Sequence, residues 1–322
     1  RRQRQMCIRD RNFTMKNNNF RKISISIISG FLGSGKTTLL THYISELLKI
    51  DEKIKVIMNE FGSFDIDSQN IDANIEVRSI INGCVCCDLK TDLITQIQSL
   101  IQQGDCNHII IEATGIANPI EMITACQDPT IIEYVNMPQI ISLVDAERFL
   151  NRNDYTISTQ TLMEEQLEIS DLLVVNKIDC IDSKELHKIK EELVQINPHA
   201  PNVLTTYGQF DINLLSNQII DKTVNHKHHH HHGIQSMKYT FTSPIDRQLF
   251  YQFIMQLPKN VMRLKGYVQF RDQPNETIEF QLAYGLPDFG PINQELPLTI
   301  VIIGEQIDIN QLRNKLDMLQ FT

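Results

Sequence analysis

The stretch ISISIISGFLGSGKTTLL, residues 23–40, decides the architecture. Its first seven residues, ISISIIS, form a short apolar run that ends at a glycine and reads as a buried strand. Residues 30–37, GFLGSGKT, match the pattern G-x-x-x-x-G-K-[ST]. From there Leu39, Leu40, Tyr43, Ile44, Leu47 and Leu48 recur at helical spacing. A strand, a glycine-rich turn and a helix, in that order, are the context in which this pattern cradles phosphate. Glycines let backbone N–H groups turn toward one anion, and the helix N-terminus adds partial positive charge. Gly30, Gly33, Ser34, Gly35 and Thr38 are therefore candidate loop contacts. Lys36 is the candidate charge partner for β- and γ-oxygens, and the Thr37 hydroxyl a ligand for Mg²⁺.

Outward from this loop, short apolar runs alternate with amphipathic segments. IKVIM (54–58), IEVRSI (75–80), HIIIE (108–112), QIISLVDA (139–146) and DLLVVNK (171–177) read as strands. LKTDLITQIQSLIQQ (89–103) and SKELHKIKEELVQI (183–196) read as helices. Such alternation predicts an α/β fold, a P-loop NTPase parallel sheet with helices on both faces. The pattern fades near residue 220. NHKHHHHHG (225–233) is low-complexity and cannot build a packed core. Beyond it, MKYTFT, the helix DRQLFYQFIMQL, strands around RLKGYVQF, TIEFQLAYG and LTIVIIG, and the helix INQLRNKLDML predict a smaller C-terminal α+β domain. The expected organisation is a disordered head over 1–22, a P-loop domain over 23–222, a His-rich linker over 223–236 and the α+β domain over 237–322. The first fourteen residues carry five arginines and one aspartate. They read as a basic transit segment or, preferably, as non-native sequence ahead of a natural start at Met15.

The 322 residues are 42% hydrophobic and 21% charged, ordinary for a folded chain. A net charge of −9 argues against wide nucleic-acid binding. No apolar run reaches the length of a membrane span, so no membrane partner is expected. The seven cysteines form no disulfide-like framework, which predicts a cytoplasmic protein with reduced thiols.

NKID, residues 176–179, follows an apolar strand. A carboxylate there accepts hydrogen bonds from guanine N1–H and N2–H₂, which adenine does not offer in that arrangement. Asp179 is the candidate base reader, with Asn176 and Lys177 shaping its pocket, so GTP is the expected nucleotide. HIIIEATG (108–115) resembles a Walker B strand ending in Glu112, a second candidate for Mg²⁺, with Gly115 placed to give its N–H to the γ-phosphate. SLVDAERF offers an alternative in Asp145, ranked second because no glycine follows three residues on.

RSIINGCVCCDLKTDL (78–93) places Cys84, Cys86 and Cys87 within four positions. Three thiolates suit tetrahedral Zn²⁺ with a fourth position left open. Redox chemistry and simple packing stay open on spacing alone, since no second cysteine pair closes a four-thiolate site. The segment lies between the phosphate loop and Glu112, where GTPases keep the part that responds to the γ-phosphate. Cys106, Cys126 and Cys180 stand alone and read as packing residues. His226, His228, His229, His230, His231 and His232 supply imidazoles that bind Zn²⁺, Ni²⁺ or Co²⁺. They read as a weak accessory metal site, against the alternative of an internal expression tag.

GFLGSGKTTLL, NEFGSFDID, NGCVCCDL, IEATGIANP, VDAERF and NKID fall in the order found in the CobW family of metal-handling P-loop GTPases, which this chain resembles from residue 23 through RLKGYVQF and TIVIIG. The resemblance implies that Cys84, Cys86 and Cys87 are the tight metal ligands and that Lys36, Thr37 and Glu112 carry nucleotide and Mg²⁺ chemistry. It implies hydrolysis of GTP to GDP and phosphate, and transfer of Zn²⁺ to an unidentified client protein. Turnover should be slow, because no water-positioning glutamine or arginine finger is identifiable. Co²⁺ delivery for cobalamin synthesis is an alternative. A metal-storage or sensing protein with vestigial nucleotide binding is a reading of another class. The chain departs from the family's N-E-F-G-E-V-G-I-D at Ser63 and Asp65, while Asp67 keeps the final position. It departs from E-T-T-G-L-A-D-P at Ala113 and Asn118.

Overall fold

Seven parallel strands form the first sheet: β1 (Ser24–Gly30), β2 (Ile54–Met58), β3 (Glu76–Ser79), β4 (His108–Glu112), β5 (Gln139–Asp145), β6 (Leu172–Asn176) and β7 (Asn202–Leu204). Their order is β3-β2-β4-β1-β5-β6-β7, every pair parallel. This computed structural model describes residues 21–58, 75–79, 87–215, 234–283, 285–294 and 296–321.

The strands are apolar on both faces because both faces are covered. On one face, Ile25, Ile27, Ile57, Ile109 and Ile111 pack with Leu93, Ile97 and Leu100 of α2 (Cys87–Gln103) and Ile120 and Ile123 of α3 (Pro119–Cys126). On the other, Ile28, Val56, Ile110 and Leu143 meet Leu39, Leu40, Tyr43, Ile44 and Leu47 of α1 (Lys36–Lys49). Beyond β5, Val144, Leu173 and Val175 pack with α4 (Ala146–Leu150), α5 (Ile157–Glu168) and α6 (Ser183–Ile196). One polar chain crosses this core. Tyr43 Oη and His108 Nε2 each lie 2.9 Å from Ser26 Oγ, so the buried His108 is a satisfied core histidine.

The second sheet is antiparallel, in the order β11-β10-β9-β12-β8, from β8 (Ile234–Thr240), β9 (Val261–Phe270), β10 (Gln273–Ala283), β11 (Leu286–Ile292) and β12 (Thr299–Glu305). Ile300 and Ile302 face its own helices, α7 (Arg247–Met255) and α8 (Ile309–Phe321), with Phe250, Leu312 and Leu316. Val301 and Ile303, on the opposite face of β12, join the α2–α3 core of the first sheet, as does Ile234. β8 therefore begins inside the segment that composition assigns to the linker, because Ile234 is buried there. β11 was not legible in the sequence. Its two prolines remove backbone donors, which only an edge strand tolerates, and β11 is an edge.

Ion pairs tie the two sheets together. Glu121 on α3 accepts from Arg263 of β9 and, at 2.9 Å, from Lys90 of α2; Lys265 reaches Asp128 at 2.7 Å and Lys238 reaches Glu133. Burial, then repulsion from Lys265 and Arg263, pulls the Lys90 pKa from 10.5 down to about 8, against Asp128 and Glu279. The folded pKa lies below the unfolded one, so the cost of holding this charge is complete below about pH 8. It is relieved as pH rises from about 8 toward 10.5, where only the unfolded chain keeps the proton. Lys90→Met carries no such charge. In urea titrations the parent should gain stability relative to Lys90→Met between about pH 7.5 and about pH 9.5. A pH-independent difference would show that Lys90 does not titrate in that window.

Candidate nucleotide site

The loop between β1 and α1 lies at the C-terminal edge of the parallel sheet. β1 there has β4 on one side and β5 on the other, and the connections that leave the neighbours β1 and β5 run in opposite directions, to β2 and to β6. Crevices in open α/β sheets form at such a reversal. Gly30, Gly33 and Gly35 have φ of 135°, 74° and 103°. A Cβ on Gly30 would stand 2.5 Å from the Leu143 carbonyl, and one on Gly35 2.6 Å from Asn176 Nδ2, so neither position admits another residue without movement. Gly35 is also the N-cap of α1 and supplies no side-chain cap. The first N–H groups of α1 are thus left for an external acceptor.

The loop carbonyls are drawn to surrounding side chains. Lys36 Nζ donates to Gly30 O at 2.9 Å and Phe31 O at 3.4 Å. Asn176 Nδ2 donates to Ser34 O at 2.8 Å, while its Oδ1 accepts from Gly208 N at 3.0 Å. Lys177 Nζ donates to Gly33 O at 2.8 Å and to Asp145 Oδ2 at 2.6 Å. Arg148 Nη1 donates to Leu32 O. A trans peptide points its N–H opposite its C=O, so fixing the carbonyls orients the N–H groups.

Thr37 Oγ1 donates to Glu112 Oε1 at 3.2 Å. Both line a cavity of about 310 Å³ together with Lys36, Gly33, Gly35, Met58 and Gly115. Gly115 packs against the loop itself, where a Cβ would fall 2.7 Å from Leu32 N. Its carbonyl accepts from the buried Gln166 Nε2 at 3.2 Å, and the same amide holds Ala117 O at 3.1 Å. Asn118 then caps α3, accepting from Ile120 N at 2.9 Å. The segment after Glu112 is thus fixed from α5 at one end and by a helix cap at the other.

The sequence-derived residues separate by role. Lys36, Thr37, Glu112 and Gly115 converge on one cavity. Thr38 stands exposed on the first turn of α1, and the Ser34 side chain is buried. Asn176 and Lys177 grip the loop, and Lys177 takes a left-handed φ of 60° to do so. Asp179 is exposed in the short turn Ile178–Cys180 just beyond them. Asp145, the alternative to Glu112, is buried and bonded to Lys177 and to Arg148 N, on the opposite side of the loop from Thr37. Cys180 is exposed, which corrects its reading as a packing residue; its turn, Ile178–Cys180, buries none of its residues. Cys126 is buried and Cys106 half-buried, and burial lifts the Cys106 thiol to about 11. Cys84, Cys86, Asp67 and the histidines 226 and 228–232 lie outside the described residues, and Cys87 opens α2. Among the described residues no group of three His, Cys, Asp or Glu gathers for a metal, and no helix is long and apolar enough to cross a membrane. Arg148, Gln166 and the Asp145–Lys177 pair were missed from sequence. The available signal was Asp145 followed three residues on by Arg148, a strand-end aspartate capping a short helix.

Loop, helix N-terminus and paired Thr37–Glu112 define a P-loop nucleotide-binding fold. Residues 24–204 match the CobW/HypB/UreG nucleotide-binding domain, and residues 234–320 the cobalamin synthesis protein cobW C-terminal domain. The chain belongs to the CobW family. It is 29% identical to the zinc chaperone YjiA of Escherichia coli, over 90% of this chain and 96% of that protein. It is 33% identical to zinc-regulated GTPase metalloprotein activator 1 of Saccharomyces cerevisiae, over 61% of this chain and 51% of that protein. Among solved structures, the Zn(II)-bound YjiA GTPase from E. coli is 24% identical, covering 92% of this chain and 99% of that chain, with a TM-score of 0.48.

Proposed function

We propose that this chain is a slow GTPase that binds Zn²⁺ through Cys84, Cys86 and Cys87 and passes it to a client protein. In this reading residues 23–222 are the GTPase unit, and the second domain, expected from 237, runs from the start of β8 at Ile234 to 322. The observation that carries it is the Thr37–Glu112 contact at a cavity walled by the glycine loop and Gly115. A hydroxyl and a carboxylate are hard oxygen donors, the set that suits Mg²⁺ beside a nucleotide's phosphates. Mg²⁺ held by Thr37 and Glu112 would neutralise charge on the β- and γ-oxygens. Lys36 supplies a second positive charge from the protein itself. Gly115, which lines the same cavity, offers its N–H to the terminal phosphate. The names of the relatives, zinc chaperone and zinc-regulated GTPase activator, support Zn²⁺ as the cargo. The histidines 226 and 228–232 serve as a weak zinc buffer.

Guanine selectivity rests on Asp179. Its position, exposed and two residues beyond Lys177, which grips the loop with Asn176, suits a base at the mouth of the site. Asp179→Asn should lose preference for GTP and gain xanthosine triphosphate, because an amide donates to the xanthine 2-oxo group. Competition calorimetry with the two triphosphates tests this, and an unchanged GTP preference would remove Asp179 as the reader.

A further inference from the structure

We infer that Arg148 is a positioning residue for the phosphate loop, fixing the Leu32 peptide so that the Gly33 N–H faces the nucleotide. The inference rests on the nucleotide-binding reading above and adds a residue that neither the motif nor the strand-end carboxylates supply. Arg148 comes from α4, far along the chain from the loop it grips. Its Nη1 donates to Leu32 O, and its guanidinium lies against the Cα face of Gly33, where a Cβ would sit 3.1 Å from Nη2. A side chain at this position would crowd the guanidinium, and the φ of 74° at Gly33 favours glycine independently.

The peptide geometry gives the consequence. Across the Leu32–Gly33 bond the C=O and N–H point in opposite directions. A carbonyl held toward α4 therefore turns the Gly33 N–H away from α4. The next carbonyl, Gly33 O, is held by Lys177. Two successive carbonyls are thus held by two cations, and both cations answer to Asp145. Asp145 Oδ2 lies 2.6 Å from Lys177 Nζ and 3.8 Å from Arg148 Nε, and its Oδ1 accepts the Arg148 backbone N–H at 3.1 Å. The buried carboxylate fixes both side chains, and the trio keeps one net positive charge beside a site for polyanions. The Arg148 side chain is 41% exposed, so it is not a core residue whose loss would collapse the fold.

A clamp on the loop acts before the terminal phosphate matters, so GDP and GTP should feel it alike. Arg148→Met keeps the apolar stem and removes the donor. It should weaken GDP and a non-hydrolysable GTP analogue equally, by about tenfold in Kd, the worth of one charge-assisted hydrogen bond. Arg148→Lys restores a cationic donor to one carbonyl and should recover most of that loss. Calorimetry on the full chain with Mg²⁺ reads all three proteins, and a thermal melt without nucleotide checks that they fold. Parent-like affinity in Arg148→Met would overturn the inference, as would an Arg148→Lys no better than Arg148→Met. Loss confined to the GTP analogue would make Arg148 a direct ligand of the terminal phosphate and overturn the positioning role. A parent that binds neither nucleotide would sink the nucleotide reading itself, a result distinct from the others.

Discussion

Lys36→Ala is expected to abolish tight GTP binding, with Kd rising by about a hundredfold to a thousandfold, while the protein stays folded. The size follows from electrostatics. A unit charge about 4 Å from a phosphate oxygen contributes about 4 kcal/mol at the effective dielectric of a protein surface, and about 1.4 kcal/mol is a factor of ten. Lys36 Nζ donates to the carbonyls of Gly30, the last residue of β1, and Phe31, the first of the loop, so its loss removes polar contacts to backbone and no apolar packing. Alanine at the first position of α1 is a good helix former, so the helix has no reason to fray. Calorimetry gives the affinity, and a circular-dichroism melt reports on the fold. An unchanged Kd would remove Lys36 from the site.

Much of this arrangement was legible in the sequence because it depends on short-range rules. The run ISISIIS followed by GFLGSGKT specifies a strand, a positive-φ turn and a helix, and each glycine there meets a steric limit that the structure makes explicit. Alternation of apolar runs with amphipathic segments predicted a sheet covered on both faces, as Ile27 and Ile28 now show by packing on opposite sides of β1. Long-range partners were not legible. Nothing local in VDAERF says that Asp145 meets Lys177, or that Arg148 crosses to Leu32. Those contacts depend on β5 lying between β1 and β6, a matter of sheet order. Gln166 was hidden for the same reason: an amide in the last turn of α5 reads as surface until α5 is packed against the segment after Glu112. β11 was hidden by its prolines, which argue against a strand unless its edge position is known.

Replacing Cys84, Cys86 and Cys87 together with serine should eliminate tight Zn²⁺ binding and, with it, any mutual enhancement between Zn²⁺ and GTP. The structure supplies a short mechanical route for such enhancement. Glu112 lies at the cavity, Gly115 touches the loop, and Asn118 caps α3 a few residues later. α3 packs on α2, where Lys90 pairs with Glu121, and α2 opens at Cys87. A shift of the segment after Glu112 on binding a terminal phosphate therefore bears on the helix that carries one of the proposed ligands. If that is the switch, GTP raises Zn²⁺ affinity, and linkage requires Zn²⁺ to raise GTP affinity by the same factor, typically about 5- to 150-fold. Serine is close to cysteine in size but lacks the soft thiolate, so metal-free GTP affinity should stay near the parent's. Zn²⁺ is titrated into parent and triple variant with a GTP analogue, with GDP and without nucleotide, and the GTP analogue is titrated with and without Zn²⁺. Equal Zn²⁺ affinity of the parent in all three nucleotide states would sink the switch even if the cysteines hold the metal. Tight Zn²⁺ binding by the triple variant would move the metal site elsewhere, with His226 and the histidines 228–232 as the next ligands to remove.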